Sequence, residues 1–184
     1  MQKLTFVTGN DEKFREVAHI LSPIQIEKLR IELPEIQSLD AEEILHEKLR
    51  AAEKHAPGAY VIEDTSLYFD CLGGKLPGPF IKWFEHAIGN DGIAELASKY
   101  ENQGATMTCL VGYINEAGEE HFFKGEIRVN IVKSRGGGWG LDPILEVVGT
   151  SKTYGEMSVE EKLKISNRAV AFRKLKEFLL AESN

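Results

Sequence analysis

Leu4-Thr5-Phe6-Val7-Thr8-Gly9-Asn10-Asp11-Glu12-Lys13 sets the fold class of this chain. Leu4 to Val7 is a short apolar run. Phe14, Val17, Ala18 and Leu21 then recur at helical spacing, so a strand passes through a glycine turn into a helix over 11–21. Asn10 stands at the N-cap position, with two acids in the first turn behind it. A helix start exposes unpaired backbone N–H groups and a partial positive charge, which suits phosphate. Lys13, one turn in, adds a full charge at the same place. On this segment alone the plainer alternative is favoured, an ordinary capped β–α turn with a solvated lysine. Neither G-x-x-x-x-G-K-[ST] nor G-x-G-x-x-G is present.

Outward from this turn, strand-like runs appear at 3–8, 24–30, 59–64, 106–114 and 120–133, and the last two read as a long hairpin across Asn115-Glu116-Ala117-Gly118. Helical patterns occupy 11–21, 41–55, 80–99 in broken pieces, and a region near 158–181. In the last region Ser158 and Glu161 make a capping box, while Ser166 is an equally good start for a separate final helix. Strands alternating with helices, plus one long hairpin, predict an α/β fold with a mixed sheet. With 184 residues and no linker, repeat or low-complexity segment, a single domain over 1–184 is expected.

Composition narrows the function. The net charge is −7 and no Lys/Arg-rich block occurs, which argues against nucleic acid as the main partner. An acidic protein still binds a phosphorylated small molecule when a divalent cation sits between carboxylates and phosphate. Cys71 and Cys109 lack metal-type spacing, so a reducing, cytoplasmic compartment is expected. Residues 1–8 are too short and polar for a signal peptide, and no apolar stretch is long enough to span a membrane.

Val61-Ile62-Glu63-Asp64-Thr65 brings two carboxylates and a hydroxyl to what reads as a strand end, and Leu33-Pro34-Glu35 adds a third carboxylate. Two carboxylates and a triphosphate suit Mg²⁺, which prefers hard oxygens and keeps several waters. The bland alternative is a solvated Glu-Asp pair. Lys48 borders the apolar stripe of the helix 41–55, and Lys82 lies among aromatic residues in Pro79-Phe80-Ile81-Lys82-Trp83-Phe84. Each either snorkels to water or points at an anionic ligand, and snorkelling is the default. In Arg135-Gly136-Gly137-Gly138-Trp139-Gly140-Leu141-Asp142-Pro143 the glycines admit close approach and Trp139 offers a stacking face. A tryptophan folded into the core explains that stretch equally well.

Taken in order, Thr8-Gly9-Asn10 with Lys13, Leu33-Pro34-Glu35, Glu63-Asp64-Thr65, Leu76-Pro77-Gly78-Pro79-Phe80-Ile81-Lys82-Trp83-Phe84, Asp142-Pro143 and Ser166-Asn167-Arg168 form an ordered set. The set resembles the noncanonical purine nucleoside triphosphate pyrophosphatases, the inosine/xanthosine triphosphate pyrophosphatase family. The wording is nearest to the eukaryotic-type branch. The resemblance implies an elongated, two-lobed single domain whose central mixed sheet is flanked by helices, with a substrate cleft between the lobes, usually as a homodimer. It implies Mg²⁺-dependent hydrolysis of inosine, deoxyinosine and xanthosine triphosphates to the monophosphate and pyrophosphate, clearing damaged nucleotides from the pool.

Carried over by motif, Thr8, Gly9, Asn10, Lys13 and Lys48 would hold the triphosphate and Lys82 would complete the cationic lining. Glu35 and Asp64 would bind Mg²⁺, Asp64 or Glu63 would orient the attacking water, and Thr65 would lie against the substrate. The Trp139-Gly140-Leu141-Asp142 segment would take the base, with Trp139 stacking and Asp142 at the ring edge, while Lys162, Asn167 and Arg168 surround its six-position. Three residues depart from the family pattern. Asn167 replaces histidine, Leu141 replaces an aromatic before Asp-Pro, and Lys75 looks inserted in its loop. Catalysis is therefore expected to be intact and base preference altered. Competing readings are a Maf-like pyrophosphatase of other nucleotides and a catalytically weak nucleotide-binding module.

Overall fold

The N-terminal apolar run is strand β1 (Leu4–Val7), and the periodic stretch behind it is helix α1 (Asp11–Leu21), with the bounds that the spacing predicts. A computed structural model describes residues 4–56 and 58–182, so Lys3, expected to open the first strand, lies outside the described residues. The order continues β2 (Ile26–Leu29), α2 (Ala41–Glu53), β3 (Tyr60–Phe69), β4 (Pro77–Gly78), α3 (Ile81–Ser98), β5 (Gly104–Ile114), β6 (Glu120–Ile131), β7 (Leu145–Val147), α4 (Val159–Ile165) and α5 (Asn167–Glu182). The expected α/β class with a mixed sheet is what forms. Among the described residues seven strands make one sheet in the order β2-β1-β3-β5-β6-β7, with β4 beside β3. Strand β1 pairs parallel with β2 and β3, and β7 pairs antiparallel with β6. Among the described residues no helix is long and apolar enough to cross a membrane.

The chain divides into two compact units. The first comprises 1–64, 109–125 and 167–184. On one side of its strands, Val7, Tyr60, Ile62, Leu110 and Ile114 pack with Leu45, Leu49 and Ala52 of α2, and the Tyr60 hydroxyl donates to the Leu49 carbonyl. On the other side, α1 packs with α5, and Phe6 meets Phe172 edge-on at 5.7 Å. Gly125 of β6 is what lets α5 come so close, since a Cβ there would stand 2.1 Å from the Asn167 carbonyl oxygen. That neighbour is backbone and cannot swing away, so Gly125→Ala is expected to destabilise the protein by about 1–3 kcal/mol. Urea unfolding checks this, with a lowered midpoint at unchanged slope as the expected result.

The second unit comprises 65–108 and 126–166. Its core gathers Leu67, Phe69, Ile81, Ile93, Val129, Ile131, Leu141, Ile144 and Leu145. Helix α3 has the break that the pattern foretold, at Gly89 with φ 66° and ψ 179°. Ser158 and Glu161 form a reciprocal capping box on α4, and an extended Ser166 (φ −63°, ψ 151°) ends that helix before α5. The two alternatives left open for the 158–181 region, a capping box at Ser158 and a separate final helix, are thus both present.

Candidate active site

In the first unit the turn after β1 is drawn tight by its own side chains. Thr8 Oγ1 accepts from the Asn10 amide at 3.1 Å, and Asn10 Oδ1 accepts from the Glu12 and Lys13 amides at 2.8 and 3.0 Å. The cap therefore takes two of the amides that a phosphate would otherwise use. Asp11 is drawn aside by Lys28 and Arg30, each 2.5 Å away, and the hydrogen bond from Lys28 leads the causes that lower its pKa. Gly9 is exposed, has no strained backbone angle, and a Cβ there would meet nothing within 4 Å. Internal packing therefore does not call for glycine at this position.

Strand β3 runs on to Phe69, so Glu63 and Asp64 lie mid-strand and not at its end as the pattern suggested. Successive strand residues point to opposite faces, which sends the two carboxylates apart. Glu63 turns toward α1 and α5, with a side chain 1% exposed, and the solvated alternative fails for it. Its Oε1 meets the Lys13 ammonium at 2.5 Å and accepts from Arg168 Nη2 at 3.3 Å. Its Oε2 accepts from Arg168 Nε and from the Cys109 thiol, both at 3.0 Å. Burial alone would raise the Glu63 pKa, but the charges of Arg168 and Lys13 outweigh it and hold the carboxyl far below the usual range. Burial and the neighbouring Glu63 push the Cys109 thiol well up.

Asp64 turns the other way, toward α2. Lys48 does not snorkel. Buried on α2, its ammonium bridges Asp64 Oδ2 at 2.9 Å and Glu35 Oε1 at 2.7 Å. Burial would lower the Lys48 pKa, yet Asp64 and Glu35 outweigh it and raise the value. The sequence-predicted metal pair thus converges on one cation from segments 29 residues apart. Among the described residues no group of three or more His, Cys, Asp or Glu side chains is placed to hold a metal. Two carboxylates suit an ion that takes its remaining ligands from water and phosphate.

The second unit holds the aromatic part. Lys162, buried on α4, donates to Asp142 Oδ2 at 2.7 Å, and its ammonium lies 5.0 Å from the Trp139 ring and 5.5 Å from the Tyr154 ring. Trp139 is half-buried and its amide also reaches Asp142 Oδ2, at 3.4 Å. Gly140 adopts φ 58° and its carbonyl accepts from Asn90. Leu141 is 8% exposed and belongs to the hydrophobic core, which leaves the ring contact in this segment to Trp139. Thr65 is half-buried on β3, and Lys82 is exposed on the first turn of α3. In the first unit, Asn167 opens α5 at 2% exposure, and among the described residues its Nδ2 has no hydrogen-bond partner.

A model described as the Ham1 family matches residues 4–178. The chain belongs to the Ham1 family. It is 40% identical over 185 residues, with 95% of each chain covered, to a protein of Puccinia graminis f. sp. tritici named inosine triphosphate pyrophosphatase. A Podospora anserina protein of the same name is 42% identical over 183 residues, covering 98% of this chain and 95% of the relative. The solved structure of a HAM1 protein from Coxiella burnetii gives a TM-score of 0.80 at 22% identity, over 98% of this chain and 100% of that one, a likeness of fold.

Two residues of this Ham1 chain's first unit join the cluster without belonging to any motif of the sequence. Glu16 accepts from Arg168 Nη1 at 2.6 Å, and Cys109 donates to Glu63. For Glu16 a signal existed, because it lies three residues after Lys13 and so shares its helix face. For Cys109 none did, since only the pairing of β5 with β3 brings the thiol to the carboxylate.

Proposed function

We propose that this chain hydrolyses inosine, deoxyinosine and xanthosine triphosphates to the monophosphate and pyrophosphate, with Mg²⁺, acting as one domain that clears deaminated purines from the nucleotide pool. The observation that carries this is the convergence of Glu35 and Asp64 on the buried Lys48 ammonium, in a chain whose relatives are named inosine triphosphate pyrophosphatase. A pair of carboxylates already cradling a cation fits Mg²⁺. When bound, the ion neutralises phosphate charge and the charge developing on the leaving pyrophosphate.

The chain's own residues position the reactants. Lys13 and Lys48 bind phosphate oxygens, the turn Thr8-Gly9-Asn10 admits the triphosphate over a residue with no Cβ, and Lys82 adds a further charge. Asp64, partly exposed and hydrogen-bonded to Lys48, orients the water for attack on the α-phosphorus. Phosphoryl chemistry of this kind rests on alignment and charge, not on covalent intermediates. Trp139 stacks on the base, with Asp142 and Lys162 at the ring edge and Thr65 against the substrate.

Asn167 and Arg168 take the six-position. The buried Asn167 Nδ2 is a donor that lacks an acceptor, a state costing about 1–3 kcal/mol. A keto oxygen relieves it and adenine's amino group does not, which favours six-keto purines over adenine. Asn167→His is expected to raise the inosine-to-adenosine triphosphate preference severalfold, because imidazole can gain charge near neutrality and an amide cannot. Ratios of kcat/KM on the two substrates measure this, and an unchanged ratio shows that position 167 does not read the base.

We place the enzyme in the cytoplasm as a homodimer. The exposed Leu76, Trp83 and Ile88 provide apolar surface of the kind that self-association covers. The direct test of the activity is pyrophosphate release on inosine, xanthosine, guanosine and adenosine triphosphates with and without Mg²⁺. Strong Mg²⁺-dependent preference for the first two is the expected result. Nucleotide binding without release would make the chain a binding module.

A further inference from the structure

Glu63 differs from Asp64 in one decisive respect, how far its carboxylate is enclosed, its side chain being 1% exposed against 21%. Four donors converge on its two oxygens, Lys13 Nζ, Arg168 Nε, Arg168 Nη2 and Cys109 Sγ, at 2.5–3.3 Å. Its side chain is closed off from bulk solvent. A carboxylate so enclosed is badly placed to take a proton from water or to coordinate an ion. It is well placed to hold cations still. Lys13 is tethered through one of its three N–H donors, and Arg168 is clamped by Glu63 on one side and Glu16 on the other. Arg168 lies in the first turn of α5 beside Asn167, where Gly125 admits the Asn167 carbonyl against β6.

We propose that Glu63 is a positioning residue: its buried carboxylate, held by the Cys109 thiol, fixes both the Lys13 ammonium and the first turn of α5. One side chain thereby sets the place of the phosphate-binding lysine and of the base-reading turn. The proposal rests on the functional reading above, which assigns Lys13 to phosphate and Asn167 and Arg168 to the base. Its consequence is that phosphate affinity and base discrimination are coupled through Glu63, although the groups that contact the two ends of the nucleotide are different.

The test is Glu63→Gln, which keeps the shape and removes the charge, read by two quantities. One is the affinity for Mg²⁺-pyrophosphate measured by calorimetry, and the other is the inosine-to-adenosine ratio of kcat/KM. Both are expected to fall about tenfold or more, since hydrogen bonds to charged groups are lost at both cations. A purely structural residue lowers the active fraction and leaves both readings unchanged, and that result overturns the proposal. So does a loss confined to one of them.

If Glu63→Gln does not unfold cooperatively, Cys109 decides the matter. Cys109→Ala removes one donor and is expected to lower both quantities in parallel by about two- to threefold, whereas Cys109→Ser keeps a donor and restores them. No change in the alanine variant, or equal change in both variants, overturns the proposal. A wild-type protein that releases no pyrophosphate from inosine triphosphate rejects the functional reading instead, and this control is run first.

Discussion

Asp64→Asn is expected to lower pyrophosphate release by about a thousandfold or more at saturating Mg²⁺ while the protein stays folded. The carboxamide fills the same volume and still accepts from Lys48, so the strand and its neighbours keep their places. What it loses is the negative charge that, on the proposed function, makes with Glu35 a site for a divalent cation, and the lone-pair basicity proposed to orient water. The Lys48 ammonium retains Glu35 at 2.7 Å, which keeps it from being buried without a counter-charge. The two outcomes separate cleanly in one preparation. Turnover is followed by pyrophosphate release and the fold by thermal unfolding, whose midpoint is expected to shift by only a few degrees. Full turnover in this variant would remove Asp64 from both the metal and the water.

Arg168→Met produces the largest expected loss of stability, about 3–5 kcal/mol. The guanidinium makes two hydrogen bonds to Glu63 and one to Glu16, and methionine fills its path without replacing them. Glu63 then keeps only Lys13 and the thiol in a site closed to water. Urea unfolding at neutral pH measures the difference, and a change below about 1 kcal/mol would mean that the ion pairs offset no more than their own desolvation. The pH dependence follows from the same groups. Glu63 has a folded-state pKa far below its unfolded value, so its contribution is fully present above the unfolded carboxylate value of about 4.3 and fades as pH falls below it. Arg168, whose pKa is raised by Glu63 against the effect of burial, stays charged throughout and adds no slope. Acid titration of the wild type should therefore show stability lost below about pH 4, and Arg168→Met should show a shallower decline there.

Local chemistry made the first β–α unit legible. Apolar spacing, an asparagine cap and two acids fixed α1 to the residue, because each signal acts within one turn. The broken helical pattern over 80–99 likewise announced the break in α3, which falls at Gly89. The strand β3 was cut short in the sequence because Glu63-Asp64-Thr65 interrupts its apolar run. It continues because Lys13 and Arg168 neutralise Glu63, the latter from 105 positions away. Lys48 looked like a snorkelling residue for the same reason, since its partners Glu35 and Asp64 lie on other segments. Strands β4 and β7, two and three residues long, are too short to carry an alternating pattern and are defined only by their neighbours β3 and β6. The residues proposed for the site were visible as motifs. Their division into an enclosed carboxylate facing α1 and α5 and an accessible one facing α2 was not, because it depends on strand pairing across the chain.

The most direct test of the account is single turnover of inosine triphosphate with Mg²⁺ in ¹⁸O-enriched water, followed by mass analysis of both products. Attack on the α-phosphorus predicts one heavy oxygen in inosine monophosphate and none in pyrophosphate. Label in the pyrophosphate, or release of inosine diphosphate and orthophosphate, would contradict it.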